Sequence, residues 1–157
     1  MRNSDDDRDM NIPPGRRRAL AVAAQALYQA DLTGAAEIIP EQLAPWLEEF
    51  HVTGENKEFV SELARGTLAV RAELDAVLDS RAKGWPVARM SAVDRNLLRL
   101  ALFEMFYCDA TPQRVVVNEI VELAKAFGGE NSSRFINGIL HVLLHREETA
   151  DAGEKSN

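Results

Sequence analysis

Apolar residues recur every three or four positions along most of this chain, which is the spacing of an amphipathic helix. The first such stretch follows the residues PPG, runs from about Arg16 to Asp31 and stops at Gly34. Its inner face is predicted to consist of Leu20, Ala23, Ala24, Leu27 and Tyr28.

The next stretches continue the helical pattern. A short helix near Pro40 presents four apolar side chains, Leu43, Trp46, Leu47 and Phe50. The longest pattern predicts one helix from about Glu55 to Ser80, with an apolar face of Phe59, Leu63, Thr67, Val70, Leu74 and Val77. Residues 81–90, RAKGWPVARM, form a connector whose glycine and proline allow at most a short helical turn.

Three more helices are predicted in the second half. Ser91 is the expected N-cap of the first, with Asp94 three residues later in the arrangement of a capping box. The buried face of this helix is predicted as Val93, Leu97, Leu100 or Ala101, and Met105. The next helix follows the dipeptide TP, ends at a glycine pair and has an inner face of Val116, Ile120, Ala124 and Phe127. The last begins near Asn131, and because no alternating strand pattern occurs, the predicted class is all-α.

The composition is typical of a single globular domain. The chain has 157 residues, of which 46% are hydrophobic, enough to bury a core without disulfides or metal ions. Its one cysteine, Cys108, allows no intramolecular disulfide and fits a reducing compartment. No apolar run approaches the roughly 20 residues that span a bilayer, and the N-terminus has no signal-peptide pattern. We therefore expect a cytoplasmic protein with no membrane association.

Acidic residues are concentrated at the two ends of the chain. The net charge is -7, and residues 1–15 and 147–157 carry much of it. Both segments are expected to be disordered tails around a folded domain of residues 16–146. Since that domain is nearly neutral, the acidity of the whole chain does not exclude nucleic acid as a partner.

The sequence lacks the common motifs of catalysis and metal binding. It has no glycine-rich phosphate loop after a strand, no GxSxG, no paired cysteines and no HExxH. His141 and His145 have the i, i+4 spacing of metal ligands, but no third ligand motif accompanies them. Glu104 lies in the apolar segment LALFEMFY, where it either transfers a proton or meets an arginine or a partner protein. We predict no enzyme activity, no cofactor and no metal site.

Three consecutive arginines, Arg16, Arg17 and Arg18, stand at the start of the first helix. The helix dipole favours anions at this end, so each cation there costs roughly a few tenths of a kcal/mol unless an anion compensates it. The cluster therefore suggests a phosphate-binding site. A solvated arginine run, neutralised by the aspartates DDD of the N-terminal segment, explains the spacing equally well.

The segment FGGENSSRFINGIL offers a second site for phosphate. Asn131, Ser132 and Ser133 start a helix after the glycine pair, and helix N-termini with short polar side chains bind phosphates. Arg134 and Phe135 follow, and an aromatic ring beside an arginine can stack an unpaired base. The alternative is ordinary N-capping with Phe135 in the core.

Three segments occur in order between about residue 16 and residue 146: RRRALAVAAQALYQAD, VDRNLLRLALFEM and TPQRVVVNEIVELAKAFGGENSSRFINGIL. In this combination the sequence resembles the NusB family of bacterial transcription antitermination factors. The resemblance implies an all-helical fold of two small helix bundles packed across each other, with about seven helices. The implied function is not enzymatic: single-stranded boxA RNA is bound together with the small-subunit ribosomal protein that acts as NusE. Other Nus factors and RNA polymerase are indirect partners, and the result is complete transcription of ribosomal RNA operons.

The resemblance also implies which residues make contacts. The RNA surface of the family corresponds here to Arg16, Arg17, Arg18, Gln25, Tyr28, Lys125, Asn131, Ser132, Ser133, Arg134 and Phe135. Asp94 and Glu104 lie on the helix that faces the ribosomal protein in the family, where acidic side chains suit a basic partner. The sequence departs from the family at Leu20, where members can carry a basic residue, and at Asn131, where aspartate is common.

Two other functions fit the same residues. A NusB-like domain also forms part of some ribosomal RNA cytosine methyltransferases, so the chain could be an RNA-recognition module for such an enzyme. A helical protein-protein adaptor, whose arginines contact only protein, is the third interpretation. The sequence leaves the oligomeric state open, including a homodimer that covers the RNA surface.

Overall fold

A computed structural model describes the backbone of residues 14–108 and 110–155 and the side chains of residues 15–108 and 110–144. These residues form six helices: α1 Pro14–Thr33, α2 Pro40–Glu49, α3 Glu55–Ala69, α4 Arg71–Arg81, α5 Ala92–Tyr107 and α6 Gln113–Lys155. A 3-10 turn at Val87–Arg89 lies in the predicted connector. No strand occurs in this part of the chain, so the all-α class is confirmed.

Helix α6 is broken at one residue. Gly129 has φ 84° and ψ -172°, a conformation in the left-handed half of backbone space that favours glycine. The break divides α6 into a first part, residues 113–128, and a second part, residues 130–155, which gives about the number of helical segments expected. The second part continues to Lys155. It therefore includes most of the segment for which the composition predicted a disordered tail, while the other predicted tail lies largely outside the described residues.

The single long helix predicted from Glu55 to Ser80 is wrong. Val70 has φ -108° and ψ 21°, outside the helical region, and separates α3 from α4. The two helices pack on different neighbours: α3 contacts α1, α2 and α5, whereas α4 contacts α5, α6 and the connector. The bend at Val70 thus carries the chain from the first group of helices to the second.

Helix α5 lies between the two groups. It packs on α1 and α3 on one side and on α4 and α6 on the other, and ten consecutive residues, 96–105, are buried. The sequence predicted one buried face, but a helix between two bundles is covered all round. The predicted architecture of two small bundles packed across each other is therefore confirmed.

A group of charged side chains ties α5 to the helices around it. Arg95 donates from Nε and Nη2 to the two oxygens of Asp31, at 2.6 and 2.7 Å. Arg99 donates to both oxygens of Asp75, at 2.7 and 2.9 Å, and to Asp31 at 3.1 Å. Asn96 donates a further hydrogen bond to Asp31 at 2.8 Å. We call these five residues the Asp31 cluster, and it joins α1, α4 and α5.

Candidate nucleic-acid interface

The three arginines at the start of α1 differ in their access to solvent. Arg18 is exposed and Arg17 is half-buried, with contacts to other groups of the protein. The side chain of Arg16 is only 17% exposed and points into the molecule. The arginine run therefore does not present three equivalent charges to a ligand.

Arg16 is bound by two buried glutamates. Its Nε donates to Oε2 of Glu119 at 2.6 Å, and its Nη2 donates to Oε1 of Glu119 at 2.9 Å. Nη2 also pairs with Glu104, and the guanidinium carbon lies 5.1 Å from the centre of the Phe59 ring. We call Arg16, Glu104 and Glu119 the Arg16 cluster. Because this arginine is engaged in the interior, the prediction that it contacts RNA does not agree with its placement.

The Arg16 cluster holds two carboxylates around one directly bound cation. Burial raises the pKa of Glu119, against the lowering effect of Arg16 and Arg17. Oε1 of Glu104 has no hydrogen-bond partner among the described residues. The site therefore carries more negative charge than its arginine neutralises directly.

Farther along α1, Gln25 and Tyr28 line a surface pocket. Its volume is about 240 Å³, and its other lining residues are Ala24, Val93, Leu97 and Phe127. Phe127 was predicted to face the core, but it is 39% exposed and stands at the rim of this pocket. Two aromatic side chains beside an amide are suited to hold a flat, polar ring such as a base.

The pocket and the arginine run lie along one line on the molecule, between α1 and the first part of α6, which we call the seam. Arg16 meets Glu119 near the start of α6, and Tyr28 shares the pocket with Phe127 near the break in α6. The two points follow each other in the same order along both helices, so α1 and the first part of α6 run in the same direction, and each packs on α5. At 1.5 Å per residue, Tyr28 lies about 18 Å beyond Arg16. On α6, the exposed side chain of Lys125 forms a loose ion pair with Glu122, at 4.0 Å.

The start of the second part of α6 differs from the predicted N-cap. Ser133 is buried, and its hydroxyl donates to the backbone carbonyl of Glu130 at 2.9 Å, so it does not cap the helix. Asn131 is exposed and Ser132 is half-buried. Ser132 packs so closely on Gly128 that a Cβ there would collide with its hydroxyl. Of the three predicted residues, Asn131 is the most open to a ligand.

Arg134 and Phe135 turn toward the connector between α4 and α5. The side chain of Arg134 is 76% exposed, with a loose ion pair to Glu130 at 3.4 Å. Phe135 is half-buried and meets Trp85 edge to face, with 5.1 Å between ring centres. Trp85 is 56% exposed and was missed by the sequence analysis. The feature of the sequence that could have marked Trp85 is its position as a large aromatic residue between a glycine and a proline in a basic connector.

The two residues assigned to a protein partner have different surroundings. The amide of Asp94 donates to Oγ of Ser91 at 3.1 Å, which confirms the N-cap of α5. Asp94 is half-buried and lines an opening beside Trp85 and Phe135. Glu104 is 1% exposed and paired with Arg16, so its predicted role at a partner surface does not agree with this structure.

Other classes of site are not indicated by the described residues. No group of three or more histidine, cysteine, aspartate or glutamate side chains there is arranged to hold a metal ion. The same part of the chain has no helix with the length and apolar character needed to cross a membrane. The side chain of His145, half of the weak metal motif, lies outside it.

Comparison with known proteins gives a consistent result. A sequence model of the NusB family matches residues 17–145. The transcription antitermination protein NusB of Desulfitobacterium hafniense (strain DSM 10664 / DCB-2) is 41% identical over 142 residues, which cover 90% of this chain and 95% of that protein.

Solved structures agree with the sequence relatives. T. maritima NusB is 34% identical, with a TM-score of 0.72 over 84% of this chain and 90% of its own. A crystal structure of the antitermination factors NusB and NusE in complex with double-stranded RNA contains a chain that is 26% identical, with a TM-score of 0.73. The alignment covers 84% of this chain and 97% of the matched one. The family match and the identities over most of both chains show that this chain belongs to the NusB family.

Proposed function

We propose that this protein is a non-enzymatic transcription antitermination factor that binds boxA RNA together with NusE in the cytoplasm. The observation that carries the proposal is the match to antitermination proteins over nearly their whole length. A structural relative that contains NusE and RNA adds support for both partners. The names of these relatives do not favour a methyltransferase module or an adaptor.

The seam between α1 and α6 has the chemistry that RNA binding requires. Arg17, Arg18 and Lys125 supply positive charge along it, and phosphate contacts from such side chains provide affinity without sequence preference. Gln25 and Tyr28 line a pocket that accepts a base and can supply preference. We therefore place the RNA along this seam, toward Asn131, Arg134 and Phe135.

An unpaired strand fits this surface better than a duplex. The bases of a duplex are stacked inside it, so they cannot enter a pocket of about 240 Å³ between side chains. The RNA in the related NusB and NusE complex is double-stranded. The experiment must therefore compare the two forms directly.

We infer that the protein partner binds on the side of α5 that carries Asp94. Asp94 lines the opening beside Trp85, and its Oδ1 is buried there without a hydrogen-bond partner among the described residues. A basic ribosomal protein that covers this opening would bring positive charge close to the carboxylate. A homodimer that covers the RNA surface remains a prediction, and adding RNA should then shift dimers to monomers.

Titration of fluorescent RNA tests the proposal. A boxA strand, a scrambled strand and a boxA duplex are each titrated with the protein, with and without NusE, at several salt concentrations. We expect the tightest binding for the boxA strand with NusE, and a logarithmic salt slope of about -0.7 for each phosphate neutralised. Equal affinity for boxA and scrambled RNA, unaffected by NusE, would contradict the proposal.

Substitutions at the arginines locate the RNA. Arg17→Ala combined with Arg18→Ala should weaken binding and reduce the salt slope, since phosphate contacts are lost. Arg65→Ala is the matched control, because it removes an exposed arginine of α3 that lines none of the described pockets. Arg16 is left intact, since its loss would disturb the core. Unchanged RNA affinity in the double variant would remove the arginine run from the interface.

A further inference from the structure

Trp85 is held in place although it is exposed. Its amide donates to the carbonyl of Ala82 at 3.1 Å, and the amide of Val87 donates to Oδ1 of Asp79 at 2.9 Å. Ala82 and Val87 are buried, so the connector is anchored on both sides of the indole. A tryptophan that is 56% exposed on an anchored segment offers a flat apolar surface with little conformational freedom to lose.

Positive charge surrounds one side of this indole. An opening of about 510 Å³ is lined by Trp85 and Phe135 together with Arg81, Lys83 and Arg134. We call these five residues the Trp85 cleft. No acidic side chain lines this opening among the described residues. The arrangement selects an anion that also carries an aromatic ring.

The other side of the indole has mixed charge. A second opening, of about 340 Å³, includes Arg89 and also Asp94, the residue assigned above to the protein partner. The two openings share Trp85 and Phe135, so the aromatic pair separates a cationic side from a mixed one. This difference favours nucleic acid, rather than protein, as the ligand of the cationic side.

The cleft continues the seam of the proposed RNA site. Val93 lines the pocket of Tyr28, and the next residue, Asp94, lines the opening at Phe135. Ser132 packs beside Gly128 at the same place, next to Val93. A strand that passes from Tyr28 over Ser132 therefore arrives at Phe135, which lines the Trp85 cleft as well.

We propose that the Trp85 cleft binds an additional nucleotide of the same RNA strand, with its unpaired base stacked on Trp85 and the flanking phosphates near Lys83 and Arg134. This inference rests on the proposed function and extends it to a site beyond Phe135. Stacking on an aromatic side chain tolerates any base, so the cleft adds affinity and length dependence but no sequence preference.

Two RNA lengths test the inference. A boxA strand and the same strand extended by three nucleotides at either end are titrated with Trp85→Ala, Trp85→Phe and the unaltered protein. For a strand that reaches the cleft, Trp85→Ala should weaken binding about tenfold and Trp85→Phe much less, because phenylalanine still stacks. Trp85→Ala should leave the salt slope unchanged, whereas Lys83→Ala should lower it by about 0.7.

A matched control removes a comparable aromatic side chain elsewhere. Tyr107 is 53% exposed and lies at the other end of α5, about 22 Å from its start. Tyr107→Ala should not alter the affinity for either strand. Far-UV circular dichroism of each variant shows that the helices are intact.

Fluorescence reports stacking directly. The chain has two tryptophans, so Trp46→Phe leaves Trp85 as the one emitting indole, and the extended RNA should quench it. Equal affinity of Trp85→Ala and the unaltered protein for both strands, without quenching, overturns the inference while boxA binding itself stands. Lost affinity of Trp85→Ala for NusE, with unchanged RNA binding, assigns the cleft to protein and also overturns it. Failure of the unaltered protein to bind boxA contradicts the proposed function instead.

Discussion

Two ionic clusters on helix α5 use the same kinds of side chain in opposite ways. The Asp31 cluster pairs two arginines with two aspartates, and each arginine binds a carboxylate at both oxygens. The Arg16 cluster has one arginine between two glutamates, both 1% exposed. The first cluster is balanced in charge and partly open to water, whereas in the second one arginine is bonded directly to two deeply buried glutamates.

The protonation behaviour of the two clusters differs accordingly. Hydrogen bonding to Arg95 lowers the pKa of Asp31 to about 2, against the effect of burial. At Glu119 burial dominates, and the pKa is raised. The hydrogen bonds from Arg95 and Asn96 therefore favour the ionised form of Asp31, whereas burial favours the protonated form of Glu119. The contrast also explains why an arginine in a predicted RNA-binding run belongs to the core.

The largest expected effect is loss of the one cation in the Arg16 cluster. Arg16→Met keeps an apolar stem but removes the guanidinium group over Phe59 and leaves two buried carboxylates without their arginine. Breaking a buried ion pair in this way costs about 3–5 kcal/mol. Urea denaturation at pH 7 should show this loss in the free energy of unfolding. Adding Glu104→Gln and Glu119→Gln should restore part of the lost free energy. An unchanged urea midpoint in Arg16→Met would show that the cluster does not stabilise the fold.

A matched change in the balanced cluster should cost less. Arg99→Met also removes a buried arginine, but Asp31 keeps its hydrogen bonds from Arg95 and Asn96. Asp75 is 26% exposed, so water can replace the lost donor. We expect a loss of about 1–3 kcal/mol, measured in the same urea experiment. A loss equal to that of Arg16→Met would show that the balance of charge is unimportant.

Local patterns predicted most of the fold. Helix α1 follows from periodic apolar residues and the stop at Gly34, and the break at Gly129 follows from a glycine pair. The bend at Val70 has no proline or glycine to mark it. It arises because α3 and α4 pack on different neighbours, and such contacts between distant parts of the chain are not visible in local periodicity.

The candidate site was less predictable for the same reason. The run of arginines marked the start of α1, but Arg16 pairs with residues 88 and 103 positions away. Nothing in the spacing distinguishes Arg16 from Arg18, because the packing of α1 on α3 and α5 determines which side chain turns inward. Trp85 was missed because exposure of an aromatic residue depends on which neighbours cover it.

The pH dependence of Asp31 sharpens the comparison. With a folded pKa of about 2 against 3.8, ionised Asp31 contributes about 2 kcal/mol of stability at neutral pH. This contribution is fully present above pH 3.8 and is lost as pH falls through 2. Asp31→Asn should therefore be about 2 kcal/mol less stable at pH 7, and its deficit should shrink between pH 4 and pH 2. The exposed control Glu62→Gln should change stability by less than about 0.5 kcal/mol. If the stability deficit of Asp31→Asn did not depend on pH, Asp31 would act through its shape alone.

Glu119→Gln should give the smallest change, with the opposite dependence on pH. Because the folded pKa is raised above 4.5, the folded protein retains a proton that the unfolded chain releases, and stability falls as pH rises from 4.5 through the folded pKa. Glutamine resembles the protonated acid and removes this fall. Below pH 4.5 the free energy of unfolding of the variant should equal that of the unaltered protein. Above pH 4.5 the variant should be more stable by about 1 kcal/mol or less, because it also loses the charged hydrogen bond to Arg16. Urea midpoints from pH 4 to pH 8 measure the difference. If Glu119→Gln were instead destabilised at pH 7 and recovered on acidification, the ion pair with Arg16 would outweigh burial, and Glu119 and Asp31 would both be stabilised in the ionised form.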